Sequence, residues 1–282
     1  MEVPSVSVIM SVWNDEKFLS DAIASILNQS YNDFEFIIVN DGSTDDSMNI
    51  VETYASRDNR IRIINQRNKG LTRALNVGIQ ESRGQYIARM DADDISYSER
   101  FALQVQYLEE NPDCVLVGGQ VELIDENGAR IFSSPIIDIE STTGRMEHLM
   151  LDHADIDQAL LSQHWPLVHP AIMMRRQAVR DVGGYHEKWK ILQDHDLFLK
   201  LAEVGQLANL PDVVLQYRRR PGQATKKSTV HLVVKRINRR AYKRRGRPIP
   251  SHLTRLNLLR EAIRIKLEDR KLWRLARFIK RS

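Results

Sequence analysis

Between residues 6 and 90 the chain alternates short apolar runs with helix-spaced apolar positions, and this alternation restricts the fold more than any other feature. Residues 6–10 form an apolar run of strand length. Phe18, Leu19, Ala22, Ile23, Ile26 and Leu27 then recur at the spacing of one helix face. Residues 34–39 form a second run that stops at Asn40-Asp41-Gly42. Met48, Val51, Tyr54 and Ala55 draw the next helix face, which Ser43, Asp45 or Asp46 can cap. Residues 61–64 give a third strand, Leu71, Ala74, Leu75 and Ile79 a third helix, and residues 86–90 a fourth strand. Strands that alternate with helices in this way build a mostly parallel sheet covered on both faces. The expected fold class is therefore α/β.

Such a sheet also fixes where a ligand binds, because crevices open beyond the carboxyl ends of its strands. Three polar clusters fall at such ends: 11–14, 40–43 and 91–94. In Asp91-Ala92-Asp93-Asp94, three carboxylates repel one another unless a cation compensates them. Hard oxygen ligands suit Mg²⁺ or Mn²⁺, which bridge to substrate phosphates. An acidic loop capping a helix over 99–110 has the same residues. Asp41 can accept hydrogen bonds from a base or ribose, or simply serve a strand-to-helix turn that Gly42 permits. Gln193-Asp194-His195-Asp196 opens a further helix. One of its aspartates can remove a proton from a hydroxyl, although helix dipoles favour first-turn aspartates in any case.

Past the apolar run 114–119 the alternation weakens, and residues 120–225 read as loops with helices near 177–182 and 194–203. At residue 226 the composition shifts. Residues 226–282 hold 20 Lys and Arg against 3 Asp and Glu, a net +17 within a chain of +4, so residues 1–225 carry −13. A basic tail on an acidic body meets something anionic. From residue 255 onward, Leu256, Leu259, Ile263 and Leu267, then Leu272, Trp273, Leu275, Phe278 and Ile279, give an amphipathic helix suited to an anionic membrane surface. Packing on the acidic body is the other reading, and no nucleic-acid partner is expected. The single Cys114 forms no internal disulfide, which fits a reducing compartment. Neither a secretory leader nor a run of about 18 apolar residues is legible, so the expected location is cytoplasmic or peripheral on the inner membrane face.

Taken together, the clusters resemble family 2 glycosyltransferases, which adopt the GT-A fold. The resemblance covers about residues 4–225. Residues 6–14 are similar to the family's opening strand and donor loop, 37–45 to its uracil-contacting signature, and 88–94 to its DXD metal motif. Asn68-Lys69-Gly70-Leu71, with Ala74-Leu75-Asn76, matches the next helix. His169-Pro170-Ala171, Arg175-Arg176 and Gly183-Gly184-Tyr185 resemble the acceptor segment.

The resemblance implies a nucleotide-sugar half over 1–115, an acceptor half over 116–225, and a basic helical extension over 226–282. It implies inverting transfer from a nucleotide-sugar donor, by default a UDP-sugar, to a glycan or lipid-linked hydroxyl acceptor in surface polysaccharide synthesis. Donor contacts fall to Ser11, Val12, Trp13, Asn14, Asp41, Asn68, Lys69, Arg73, Asp91, Ala92 and Arg220. Asp93 would ligate Mn²⁺ or Mg²⁺, Asp194 would be the base, and His169, Trp165 and Gln193 would face the acceptor. Core packing is the competing role for Trp165, and for Trp189.

The chain departs from the family pattern at four places. Ser11 replaces a common proline, Trp13 a tyrosine, and Gln193 the usual glutamate. Arg220 stands where a histidine often ligates the metal, and an arginine clamps phosphate rather than metal. The Gln193 and Arg220 departures leave a non-catalytic sugar-nucleotide-binding module as one alternative. A nucleotidyltransferase is another, although no glycine-rich basic loop follows the first strand.

Overall fold

A computed structural model describes residues 3–131, 133–134, 139–140, 152–162, 164–220, 227–259 and 261. The chain divides into two compact units, Met1–Gln223 and Ala224–Ser282.

In the first unit, strands β1 (Val6–Val12), β2 (Phe34–Asn40), β3 (Ile61–Asn65) and β4 (Tyr86–Met90) alternate with helices α1 (Glu16–Leu27), α2 (Ser47–Ala55) and α3 (Leu71–Glu81). Then follow β5 (Ile95–Ser96), α4 (Arg100–Glu110), β6 (Cys114–Ile124) and the short pair β7 (Ser133–Ser134) and β8 (Ile139–Glu140). After them come α5 (His153–Leu161), β9 (Met173–Arg175), α6 (Arg176–Asp181), α7 (Gln193–Leu201) and β10 (Gln206–Arg218). Eight strands form one sheet in the order β3-β2-β1-β4-β9-β6-β10-β5. β1 pairs in parallel with β2 and β4, and β2 with β3. β6 and β10 are also parallel, whereas β9 runs antiparallel between β4 and β6. The expected mostly parallel sheet is therefore present.

Strand alternation sorts its two faces. Val6, Val8, Met10 and Val12 of β1, with Phe36 and Ile38 of β2 and Ala88 and Met90 of β4, share a core with α1, α2 and α4. Ile37 and Val39 face the other way, onto Ala74 of α3. There Gly78 lets α3 come close to β1, since a Cβ at that position would stand 2.4 Å from Ile9 Cγ2. Each fully buried aliphatic or phenyl side chain in such a core contributes about 1.5–3 kcal/mol.

The second half differs from the sequence expectation. Residues 206–218, read as loop, form the longest strand of the sheet, with register shifts around Leu210 and Val213. Pro211 and Asp212 interrupt the strand pattern, so pairing with β6 rather than local period holds this segment extended. β6 itself runs five residues beyond Gly119. At the start of α2 the N-cap position is Asp46, whose side chain makes no cap hydrogen bond, while Asp45 just before it accepts from Ser47 N at 3.1 Å.

The second unit contains α8 (Lys227–Arg244), whose described side chains Val234, Ile237 and Ala241 are buried. Lys235 and Glu261 form an ion pair at 2.9 Å. The amphipathic helix expected from 255 onward lies mostly outside the described residues. Among the described residues, no helix is long and apolar enough to cross a membrane.

Candidate active site

The turns after β1, β2 and β4 meet at one end of the sheet, where they are tied to one another by side chains. After β1, Asn14 adopts a left-handed backbone (φ 56°), donates its N–H to Ser43 Oγ at 3.2 Å and accepts from Thr44 N at 2.8 Å. After β2, Gly42 (φ 78°) approaches so closely that a Cβ would lie 2.8 Å from Asn68 N. Asp41 reaches across to the loop before α3. Its carboxylate accepts from Gln66 Nε2 at 2.7 Å and from the backbone N–H groups of Lys69 and Gly70 at 2.8 Å each. Asp41 is only 2% exposed, so it braces the loop as well as lining the cavity.

After β4, carboxylate oxygens of Asp91, Asp93 and Asp94 lie within 4.8 Å of one another. None of them caps α4, whose first residue follows Glu99 with no side-chain cap. Each carboxylate instead has its own partner. Asp91 pairs with the buried Arg89 of β4. Asp93 pairs with Arg220 at 2.5 Å, and Asp94 accepts from Arg218 N at 2.8 Å. Arg220 also reaches Asp15 at 3.5 Å. The second oxygen of Asp94 is buried with no hydrogen-bond partner. Burial, then the charges of Asp91 and Asp93, hold the Asp94 carboxyl well above the usual carboxylate range. Asp93 is raised by burial and by Asp91, with Arg220 opposing.

A cavity of about 440 Å³ opens over this turn. It gathers Ser11, Trp13, Asp41, Asn68, Asp91, Ala92, Asp93 and Arg220 from five separate stretches of chain. A second cavity of about 520 Å³ shares Asn68, Gly70 and Leu71 with it and is lined by Lys69, Arg73 and Lys190. Arg73 is paired there with Glu187 at 2.9 Å.

The α7 side is built around buried polar side chains. Leu192 takes a left-handed conformation (φ 60°) and turns the chain into α7, which sets Asp194 in its first turn. Asp194 Oδ1 accepts from His195 N at 2.9 Å. Burial raises its pKa, and the His195 amide opposes that shift. Trp165 stacks edge-on against His195 with centroids 5.3 Å apart. His169 shares a 2.7 Å hydrogen bond with Tyr185 and is held well below its ordinary pKa by burial, then by Arg89. Burial raises the Tyr185 phenol; Arg89 lowers it, and the charges of Asp194 and Asp91 both add to the rise.

A sequence profile described as Glycosyl transferase family 2 matches residues 7–183. The chain belongs to this family. An uncharacterized glycosyltransferase of Haemophilus influenzae is 34% identical over 217 residues, which is 76% of this chain and 65% of the relative. The amylovoran biosynthesis glycosyltransferase AmsE of Erwinia amylovora is 32% identical over 216 residues, 75% of each chain. Among solved structures, S. aureus TarS 1–349 in complex with UDP-GlcNAc superposes with a TM-score of 0.63 at 18% identity, covering 84% of this chain and 66% of that one. The mannosyltransferase PcManGT from Pyrobaculum calidifontis, in complex with GDP-Man and Mn²⁺, gives 0.61 at 18% identity, covering 93% and 70%. At that identity the likeness establishes the GT-A fold.

Three of the residues expected from the sequence have protein contacts of their own or are buried. Val12 is fully buried, and its carbonyl accepts from Asp41 N at 2.9 Å. Asn14 is spent on the β2–α2 loop, and Gln193 is buried. Two further residues at this end of the sheet were not singled out by sequence. Asp15 pairs with Arg220 and lines the 440 Å³ cavity. Arg89 had a legible signal, a lone charge inside the buried run Tyr86–Met90, which a fold retains only with a partner.

Proposed function

We propose that this chain transfers a sugar from a nucleoside-diphosphate donor to a hydroxyl acceptor, inverting the anomeric centre. One observation carries the reading. A single crevice end holds Asp41, the Asp91–Asp94 turn and Arg220 around one cavity. TarS binds UDP-GlcNAc and PcManGT binds GDP-Man with Mn²⁺, which supports a nucleotide-sugar in the 440 Å³ cavity. We take UDP as the default nucleotide.

The acidic turn fits a divalent cation. Its oxygens are clustered within 4.8 Å, and a buried Asp94 oxygen lacks a hydrogen bond that a hard cation would replace. Asp93 would hold Mn²⁺ or Mg²⁺, with Asp91 and Asp94 beside it. When bound, the ion supplies charge neutralisation for the diphosphate leaving group.

The protein's own groups account for the rest. Asp41 and the loop it braces hold the base, and Asp91, fixed by Arg89, meets the ribose or sugar. Arg220 offers its fork of donors to the diphosphate. Asp194 takes the acceptor hydroxyl proton as that oxygen bonds to the anomeric carbon. The bond from that carbon to the diphosphate oxygen breaks on the opposite face, and nucleoside diphosphate departs. Burial raises the Asp194 pKa, which strengthens it as a base. Trp165, 43% exposed, and His169 stand on the acceptor side.

The AmsE name, which specifies amylovoran biosynthesis, supports a role in polysaccharide synthesis; a glycan or lipid-linked acceptor at the cytoplasmic membrane face is part of the proposal. The second unit suits that setting. Residues 227–259 hold ten Lys and Arg and no Asp or Glu, and Arg236, Arg240, Lys243, Arg244 and Arg247 are exposed. Such a surface binds anionic lipid.

The test is a nucleotide-sugar panel with Mn²⁺ or Mg²⁺, scoring nucleoside diphosphate release by wild type and Asp194→Asn. Donor-specific release lost in the variant is expected. Donor binding without turnover, with lipid-linked acceptors supplied, would refute the transferase reading.

A further inference from the structure

Arg220 is placed on the acidic turn by the end of β10. Two residues before it, Arg218 donates its backbone N–H to Asp94 at 2.8 Å and its Nε to the Asp93 carbonyl at 2.7 Å. The Arg218 guanidinium lies over Phe18, 4.5 Å from the ring centroid. Arg218 therefore fixes the backbone against the turn. Arg220 follows two positions later and leans on the same ring at 5.5 Å. Its Nη2 lies 2.5 Å from Asp93 Oδ2 and 3.5 Å from Asp15 Oδ1.

A guanidinium at that distance occupies one of the two oxygens that Asp93 can offer to a divalent ion. Coordination places a metal at about 2.0–2.2 Å from such an oxygen, and two cations on one carboxylate repel each other strongly in a half-buried site. We infer that Arg220 is an internal competitor for the divalent cation, and that Asp93 is handed from Arg220 to the ion when the donor's diphosphate arrives to take the guanidinium. This rests on the reading of Asp93 as a cation ligand. Phosphate oxygens are the natural acceptors for the released group, because a guanidinium binds phosphate in a bidentate fork. Asp15, also paired with Arg220, keeps the side chain near the cavity during the exchange. The cation then binds weakly to the protein alone, and donor arrival removes its competitor.

The decisive measurement is direct Mn²⁺ binding to the full-length chain, followed by electron paramagnetic resonance without nucleotide and with UDP. Arg220→Gln and Arg220→Ala should each bind Mn²⁺ about tenfold more tightly than wild type without nucleotide, the size expected from losing one half-buried ion pair. Their gain on adding UDP should be correspondingly smaller. Arg220→Lys keeps a positive charge and should stay near wild type. Unchanged or weaker Mn²⁺ affinity in both neutral variants, with binding abolished by Asp93→Asn, overturns the competition and leaves the metal site standing. Mn²⁺ binding that survives Asp93→Asn overturns the metal site and the competition together.

Discussion

Asp41→Asn separates the loop-bracing role of this carboxylate from its shape. Both oxygens accept from N–H donors in the folded chain, one from Gln66 and Lys69 and the other from Gly70. Asparagine fills the same space but turns one acceptor into an NH₂ group. Its better orientation keeps the two-donor oxygen in place and sets the NH₂ against Gly70 N–H. One backbone amide at a buried position then loses a charge-assisted bond and faces another donor, which costs about 2 kcal/mol. In a unit of this size that corresponds to a drop in Tm of roughly 4–8 °C. Thermal unfolding followed by circular dichroism measures it, and adding UDP to both proteins reads the consequence for the cavity. The variant should show a lower Tm and a smaller UDP-induced rise. A Tm within about a degree of wild type would show that the loop before α3 does not depend on this carboxylate.

Three further outcomes follow from other parts of the structure. Because Asp194 must be ionised to accept a proton and burial raises its pKa, kcat/KM should fall toward acid with a midpoint above the ordinary aspartate value of about 3.9; a profile flat down to that value contradicts its assignment. Asp94 is raised in the folded state, so its contribution to stability is present at low pH and is lost as pH rises through the folded pKa. Asp94→Asn, which keeps an acceptor for Arg218 N, should therefore raise Tm by a few degrees at pH 8 in metal-free buffer, and the gain should shrink toward pH 5. Gly78→Ala places a methyl 2.4 Å from the stiff Ile9 side chain and should cost about 1–3 kcal/mol, measured as a shift in urea midpoint at constant m-value.

The sequence by itself determined the half of the fold whose signals are local. β1 to β4 were legible because a strand buried on both faces needs a run of apolar residues, and the helices between them need a one-sided stripe. The turns 11–14, 40–43 and 91–94 were legible for the same reason, since each interrupts such a run at its carboxyl end. Tertiary structure alone decided the rest. β10 is held extended by pairing with β6 across Pro211 and Asp212, and no local period announces it. Asp41 is legible in the sequence as a donor contact or a turn residue, but its bracing of Lys69 and Gly70 in the loop before α3 is not. The contact between Asp15 and Arg220 joins residues 205 positions apart, and Arg220 meets Asp93 by the same closure of the sheet. A charge in a sequence states only that it needs a counter-charge. Which one it finds depends on strand order, and strand order is settled by packing over the whole sheet.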